Sequence, residues 1–567
     1  MKFAELITFR EIIGDEPTLA KLHAILKKYR RLEVIFLLAK LNCLLGTWQN
    51  APNFDLDDRF SNYLLPGFRR ELQAIRGAKN WKVVFSRLGI LYLIKQACIA
   101  CAEDGELLNT RSAHSDIGIC FLLANDLLLP FIPLPSDGVL KRMASLLPFT
   151  DYISHDHYPM EIGRTQIIFE EIAGAPTLTA RKDYIDIRAL FQERLGLDYK
   201  TFCELIFGCA TKFLNVKLEE LEKNPEAAVL RTRYFSKSRI SADKVTQFLS
   251  KITCTEAEFV DGVTKWKDRP GDDLTLFQAN PLLEIVEDTH ACLDPGFLIE
   301  KAGRGLYWTL FFEVEGDKRS NLAAFWGTVF ELYVNHILKE SYGAGGTFIP
   351  QPKFANGDAA FDACIREERS LLVFEHKSSV IRADAKYGGD AAKLKAELDA
   401  KFIEGDTENK KGLSQLSNHL VRFLRGELLT DVDRREIDKI YPIMVCLESS
   451  MVSPYLGHYL NERFGEIFRR RDFPQMVVTP VFTLGISDVE NLLGFLQSFK
   501  LADILESYHS KNKTMLTSIS SSDVPILKNA RPQRNLVKER FSTFADEMIK
   551  TFCGEGPEVV SSDPADR

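Results

Sequence analysis

The stretch at residues 370–380 reads SLLVFEHKSSV, and it decides how the second half of the chain folds. Four apolar residues in succession, 371–374, predict a strand that is buried on both faces. Glu375 and Lys377 follow at its end, although an unpaired charge is costly to move out of water. Alternate side chains of a strand share a face, so these two charges point the same way. The end of the strand therefore either reaches solvent or forms a site that uses both charges.

The preceding segment, AAFDACI at 359–365, predicts a second strand, and this strand carries Asp362. A hairpin centred on Glu368–Arg369 places Asp362 directly opposite Glu375, with the two side chains about 5 Å apart. Glu-Arg is not a typical two-residue turn, but a four-residue loop with the same centre preserves the register. Two facing carboxylates repel each other unless a cation lies between them, and oxygen ligands suit Mg²⁺. The pair therefore predicts a magnesium site.

Two predicted helices place further polar side chains near this hairpin. FWGTVFELYVNHIL, at 325–338, has an apolar stripe at helical spacing, and Glu331 lies at the edge of that stripe. KKGLSQLSNHLVRFL, at 410–424, forms a similar helix that presents Gln415. The glutamine is neutral, yet its amide can orient a phosphate or a water molecule. A third carboxylate and an amide are thus available to the site.

The chain of 567 residues changes in pattern along its length. Apolar residues spaced by three and four predict a helical region over 1–255. Shorter apolar segments over 256–320, NPLLEIVED and GLYWTLFFEVEG, predict a connecting region with short strands. Alternating strands and helices over 321–510 predict a mixed sheet flanked by helices, followed by a helical extension over 511–553 and a disordered tail at 554–567. The predicted fold class is α+β or α/β, in several domains.

The order of these residues resembles the PD-(D/E)XK nuclease superfamily, which has the restriction-endonuclease-like fold. The resemblance is carried by Asp362 in one strand, Glu-x-Lys at 375–377 in the next, Glu331 in the preceding helix and Gln415 in the following helix. It covers about residues 320–500. It departs from the name motif at Phe361, where a proline often stands.

The resemblance implies metal-assisted hydrolysis of phosphodiester bonds with Mg²⁺, for which Mn²⁺ can substitute. Asp362 and Glu375 would hold one or two metal ions, with the backbone carbonyl of His376 as a further ligand. Glu331 would complete the metal shell, directly or through water. The His376 side chain alternates to the opposite face of the strand, and we expect it to be structural.

The same resemblance implies roles for the remaining two residues. Lys377 would position the attacking water or stabilise the pentavalent phosphate, and Gln415 would help to orient the nucleophile or the strand. The expected function is an endonuclease that acts on nucleic acid, DNA in preference to RNA. A helical region in front of such a domain resembles bacterial anti-phage defence or restriction effectors, and it could recognise targets, regulate activity, bind a partner protein or form homo-oligomers.

Two alternatives stay open on the sequence alone. The chain could keep a nuclease fold without catalysis and act as a nucleic-acid-binding or scaffolding module. The Glu-x-Lys pair could also lie on a solvated edge strand. Since 27% of the residues are charged, such a pair is a weak signal when taken alone. Basic runs at 27–31, 386–401 and 528–540 can either contact phosphates or form solvated faces. The net charge of −7 does not decide between them, since attraction to phosphate depends on the local field.

Cysteine usage and hydropathy indicate a reduced, cytoplasmic protein. The eleven cysteines show no framework of spaced pairs. Cys98 and Cys101 form one CxxC, which we interpret as core packing on a helix, with a redox or zinc role as the alternative. His155 and His157 are interpreted as surface loop, with a metal clip as the alternative. Charged or polar residues interrupt every long apolar run, so neither a membrane span nor a signal peptide is expected.

Overall fold

The chain folds into a mixed α/β structure, with a helical N-terminal region and mixed sheets in the C-terminal half. The computed structural model describes residues 5–45, 54–78, 82–128, 138–141, 143–144, 147, 158–265, 273–343, 345–404, 412–448, 450, 455–513, 519 and 524–553. His155, His157 and the predicted tail at 554–567 lie outside these ranges.

The N-terminal region owes its helices to apolar residues spaced by three and four, with polar caps at several ends. The helix Arg87–Ala100, for example, begins at Ser86, whose hydroxyl accepts a hydrogen bond from the Gly89 amide at 3.0 Å. Helices of this region include Phe9–Ile13, Leu19–Leu26, Arg31–Leu45, Phe54–Leu64, Arg69–Ala78, Arg87–Ala100, Arg111–Leu128, Tyr158–Ile167, Pro176–Thr179, Ile187–Leu195, Tyr199–Leu214, Leu218–Lys223, Ala242–Ile252, Glu256–Lys265, Thr275–Ala279, Pro295–Glu300 and Gly305–Glu313.

Two small sheets lie within this helical region. The described strands are β1 (Glu5–Leu6), β2 (Lys82–Val83), β3 (Val229–Leu230), β4 (Thr253–Thr255), β5 (Leu282–Val286) and β6 (Thr289–Cys292). β1 and β2 pair in parallel, and the other four form a sheet in the order β3-β6-β5-β4. The short strands predicted for NPLLEIVED are therefore confirmed in β5.

The segment GLYWTLFFEVEG is not a strand, and this part of the sequence prediction is wrong. It forms the helix Gly305–Glu313, because its aromatic side chains recur at helical spacing and pack on one another. The ring centroids of Tyr307 and Phe311 lie 5.6 Å apart, and Tyr307 also contacts Trp326 at 4.8 Å. Packing against Trp326, rather than strand propensity, decides the conformation.

Two hydrophobic cores support the first three hundred residues. One joins apolar side chains from residues 7–128 with those from 254–297. The other joins residues 158–252 with the helix Asp317–Ser341 and one face of the C-terminal sheet. Apolar packing therefore crosses the predicted boundary near residue 255, and the division into separate domains stays a prediction.

The C-terminal sheet consists of β7 (Thr347–Pro350), β8 (Ala363–Glu367), β9 (Ser370–Lys377), β10 (Lys439–Cys446), β11 (Val477–Val478) and β12 (Phe482–Gly485). β7, β8 and β9 form an antiparallel meander, and β10 pairs in parallel with β9. β11 and β12 both pair in parallel with the far side of β10, at successive positions. The interruption between them contains Pro480, which has no backbone N–H to donate to a ladder.

The hairpin β8–β9 has the predicted register. Its pairs run from Ala363 with Phe374 to Glu367 with Ser370, and Glu368 and Arg369 form the turn. Glu368 has a φ of 51°, in the left-handed region that primed hairpin turns require. The turn chemistry is unusual, but the buried faces of both strands fix the register.

Helices cover both faces of this sheet. The described helices are Asp317–Ser341, Ala383–Lys386, Ala391–Leu398, Gly412–Leu424, Leu456–Ile467, Ile486–Leu492, Leu501–Lys511 and Leu536–Cys553. Asp317–Ser341 packs on one face, and Gly412–Leu424 packs on β9 and β10 from the other. The C-terminal helix Leu536–Cys553 packs against Tyr158–Ile167 of the N-terminal region.

Cys98 and Cys101 are buried free thiols in a hydrophobic core, which confirms their interpretation as packing residues. Burial raises the pKa of the Cys101 thiol to about 12, so the reactive thiolate is disfavoured. Across the described ranges, no helix is both long enough and apolar enough to cross a bilayer.

Candidate active site

The hairpin brings Asp362 beside the end of β9. Asp362 comes immediately before β8, and its backbone N–H donates to the carbonyl of Phe374 at 3.1 Å, which continues the ladder by one residue. Its carboxylate Oδ2 accepts a hydrogen bond from the backbone N–H of His376 at 2.6 Å. Asp362 therefore lies across from Glu375, as the sequence predicted.

Glu375 and Lys377 form an ion pair, with Nζ 2.6 Å from Oε1. The Glu375 side chain is only 2% exposed and that of Lys377 only 14%, so the strand end is not a solvated edge. The second oxygen of Glu375, Oε2, is buried and accepts no hydrogen bond from the described residues. A buried carboxylate oxygen without a donor is destabilising unless another ligand satisfies it.

Glu331 reaches the same end of the sheet from the helix Asp317–Ser341. Its Oε1 accepts a hydrogen bond from Nε2 of Gln351 at 2.6 Å. Gln351 follows β7 and has a φ of 44°, a left-handed conformation that is strained for a residue with a side chain. The backbone N–H of Gln351 also donates to the carbonyl of Asp362 at 3.1 Å. One strained residue thus links the Glu331 carboxylate to the backbone of Asp362.

The helix of Glu331 also fixes the backbone of Asp362. Asn335, one turn after Glu331, donates from Nδ2 to the carbonyl of Asp362 at 3.2 Å. His376 turns its ring away from the carboxylates, as predicted, and packs beside the ring of Phe374 with centroids 6.1 Å apart. Burial lowers the pKa of His376 to about 3, so the imidazole is neutral.

The pKa values show that the carboxylates interact. The pKa of Glu375 is raised to about 8, chiefly by burial. The charge of Asp362 is the second cause, and the charge of Glu331 contributes less. Burial also raises the pKa of Glu331 to about 7, with the Asp362 charge as the second cause. Burial raises the pKa of Asp362, although the hydrogen bond from the backbone N–H of His376 acts to lower it. Burial opposes the charge on Lys377, but Glu375 outweighs it and raises the pKa of the ammonium.

Gln415 is the one predicted side chain that shows no link to this group. It is half-buried on the helix Gly412–Leu424, which covers β9 from the face that carries Glu375. Its amide makes no hydrogen bond to any described residue. The structure therefore places Gln415 on the expected helix without joining it to the carboxylates.

The donor set suits a hard cation, because three carboxylates face one ammonium and Glu375 Oε2 accepts no hydrogen bond from the part of the chain that the structure describes. Mg²⁺ is commonly held by one or two carboxylates together with waters and substrate phosphates. Within the described ranges, however, no group of three or more His, Cys, Asp or Glu side chains is arranged to hold a metal by itself. Asp362 and Glu375 are instead engaged by His376 N–H and Lys377. A metal at this position would therefore need waters and substrate as further ligands.

A buried ion pair fixes the loop that follows Lys377. Lys386 Nζ lies 3.0 Å from Oε1 of Glu448, just beyond β10, and both side chains are buried. Glu448 Oε2 accepts the backbone N–H of Ile381 at 3.0 Å. Lys386, which the sequence offered for a phosphate channel, thus holds the loop in place.

Comparison of this chain with protein-family models, curated proteins and solved structures finds no match. The likeness to the PD-(D/E)XK superfamily therefore stays a proposal that depends on the residues described above.

The sequence alone missed Gln351, Asn335 and Arg181. Asn335 could have been found, because a residue four positions after Glu331 lies on the same helix face. Gln351 stands between Pro350 and Pro352, a signal of rigid backbone but not of a contact with Glu331. Arg181, whose charge lowers the pKa of Glu331, is separated from it by 150 residues and gave no signal.

Proposed function

We propose that the chain is a Mg²⁺-dependent endonuclease that hydrolyses phosphodiester bonds, with DNA favoured over RNA. The observation that carries the proposal is a group of three interacting carboxylates and one lysine at the end of β9. Glu375 is buried, the other three side chains are half-buried, and one oxygen of Glu375 has no donor among the described residues. Perturbed pKa values in such a cluster are typical of functional sites. The predicted order of Asp362, Glu375 and Lys377 in two paired strands supports the same conclusion.

In this proposal Asp362, Glu375 and Glu331 hold the metal, with the His376 carbonyl as a further oxygen ligand. Bound Mg²⁺ would supply water activation and neutralise charge on the phosphate. Lys377, which pairs with Glu375 in this structure, would donate to the attacking water or to the phosphate oxygens. Asn335 and Gln351 hold the backbone of Asp362 in place.

Incubation with supercoiled plasmid tests the proposal, in Mg²⁺ and then in EDTA. We expect wild-type protein to nick or linearise the plasmid only with the metal. Lys377→Ala should reduce the rate at least about a hundredfold, because it removes a charge that acts on the transition state. An RNA substrate of the same sequence in a parallel reaction identifies the preferred polymer.

Arg435→Ala is the matched control. Arg435 is exposed, forms an ion pair with Asp433 and lies near the start of β10, at the opposite end of the sheet from the site. Its variant should cleave like the wild type. Cleavage that persists in EDTA, or that Lys377→Ala leaves unchanged, contradicts the proposal.

The second candidate is a nuclease-like fold that binds nucleic acid without cutting it. The observation that favours it is the closed pairing of the site, in which Lys377 bonds Glu375 and the His376 amide bonds Asp362. It predicts binding of DNA with no cleavage in any metal, and equal binding by the Lys377→Ala variant.

A further inference from the structure

A turn of the N-terminal region packs against the helix that carries Glu331. Arg181–Tyr184 form a turn in which the Tyr184 amide donates to the carbonyl of Arg181 at 3.3 Å. The ring of Tyr184 packs edge-on against Phe325, with centroids 5.9 Å apart. We call residues Arg181–Tyr184 the Arg181 turn.

A second contact holds the segment that precedes the Arg181 turn against the helix Asp317–Ser341. Glu171 Oε2 lies 3.2 Å from Nε2 of His336. Phe325 precedes Glu331 and His336 follows it on the helix Asp317–Ser341, so the segment 171–184 runs along the helix that carries this carboxylate. The charge of Arg181 lowers the pKa of Glu331, which agrees with this placement.

The Arg181 turn offers cations to solvent. The Arg181 side chain is 44% exposed and binds Asp183 through two contacts, Nε to Oδ1 at 2.9 Å and Nη2 to Oδ2 at 3.0 Å. Lys182 is exposed and makes no hydrogen bond or ion pair with any described residue. Arg188 is also exposed, at the start of the following helix.

We propose that the Arg181 turn binds a phosphate of the nucleic-acid backbone next to the candidate active site. The helical N-terminal region then contributes directly to substrate binding. This inference rests on the proposed function, because it concerns the same substrate. It assigns a role to a part of the chain whose sequence carries no motif.

The geometry of Arg181 suits a phosphate. Its guanidinium already holds a planar carboxylate with two parallel contacts, and a phosphate accepts the same fork. The Asp183 side chain is 60% exposed, and an exposed ion pair contributes little, so exchange of Asp183 for phosphate is inexpensive. The acidic site itself would repel the substrate backbone, and a cation at its edge offsets that repulsion.

Binding of a fluorescein-labelled DNA duplex in EDTA tests the inference without cleavage. Arg181→Ala should weaken binding about tenfold, as expected for loss of a charged hydrogen bond. It should also reduce the slope of log K against log salt by about one, because one phosphate contact is lost. Arg181→Lys keeps the charge and should retain the wild-type slope.

Asp183→Asn should act in the opposite direction. It frees the guanidinium and removes a negative charge, so we expect about threefold tighter binding. Arg435→Ala is the matched control, because Arg435 binds Asp433 in the same two-contact form far from the site. It should leave affinity and slope unchanged.

Wild-type affinity and slope in Arg181→Ala overturn the inference, as does an equal loss in Arg435→Ala. A duplex of RNA in a parallel titration identifies which polymer supplies the phosphate. The two proposals fail separately. If the wild-type protein never cleaves but Arg181→Ala loses DNA affinity, the nuclease proposal is contradicted and the phosphate contact is supported. If the wild type cleaves and Arg181→Ala binds DNA normally, the nuclease proposal is supported and the phosphate contact is contradicted.

Discussion

Glu375 is the residue at which folding and proposed function compete. A carboxylate that is 2% exposed and faces Asp362 favours its protonated form, and its pKa of about 8 expresses that cost. A divalent cation would favour the charged form instead. The same side chain therefore weakens the metal-free fold at high pH and becomes a ligand when a metal binds.

The stability of the metal-free protein should depend on this proton. The pKa of Glu375 in the folded protein lies above its ordinary value of 4.5. The protonated side chain therefore contributes its full stability to the fold below pH 4.5, and this contribution is lost as the pH rises through about 8. We expect the unfolding temperature in EDTA to fall over this window. Glu375→Gln cannot titrate and should show a shallower fall.

Thermal unfolding of both proteins across the window measures the difference. Glu331 and Asp362 have raised pKa values as well, so the variant should keep part of the slope. If the unfolding temperatures of wild type and Glu375→Gln fall in parallel with pH, the pKa of Glu375 is not raised in the folded protein.

At the scale of elements, one glycine sets the position of the helix Gly412–Leu424 against its neighbours. Gly412 has a φ of 60°, and a Cβ there would lie 2.1 Å from the carbonyl oxygen of Phe402. Only glycine satisfies both conditions. The close approach anchors the start of the helix that covers β9 and carries Gln415.

Gly412→Ala should therefore lower the free energy of unfolding by about 2–3 kcal/mol. Gly465→Ala is the control, because Gly465 is exposed within the helix Leu456–Ile467 and a Cβ there meets nothing within 4 Å. That variant should stabilise the protein by about 0.5–1 kcal/mol. Urea unfolding measures both. A neutral Gly412→Ala would mean that the helix start shifts without cost.

At the scale of the whole molecule, a buried ion pair joins the helical N-terminal region to the C-terminal half of the chain. Arg164 of the helix Tyr158–Ile167 holds both carboxylate oxygens of Glu490 at 2.6 and 2.8 Å. Tyr333, two residues after Glu331, donates to the same carboxylate at 2.6 Å. Asn535 donates to the backbone carbonyl of Glu490 at 2.8 Å. The helix that carries Glu331 is thus held by segments on either side of it in sequence.

Arg164→Met should lower the free energy of unfolding by about 3–5 kcal/mol, because it leaves the buried charge of Glu490 without its partner. The measurement is urea unfolding followed by circular dichroism. Arg435→Met, at an exposed pair, should have no measurable effect. If the two variants behave alike, the ion pair does not hold the two regions together.

Local sequence patterns predicted the two strands that carry the candidate site. The apolar run before Glu375 predicted a buried strand, and β9 is Ser370–Lys377. Alternation and the hairpin centre predicted that Asp362 faces Glu375, and the pairing of Ala363 with Phe374 confirms that register. These predictions succeed because the alternation of side chains along a strand, and the apolar pattern that fixes its register, can be read from a few neighbouring residues.

Tertiary structure alone decided what completes the site. Packing turned GLYWTLFFEVEG into a helix, brought the Arg181 turn against the helix that carries Glu331 and placed Gln351 in a strained conformation beside Glu331. These contacts join residues far apart in the chain, so no local period encodes them. The sequence by itself determined which charges share one strand face. The three-dimensional fold determined how deeply they are buried, and burial is the physical cause of their shifted pKa values.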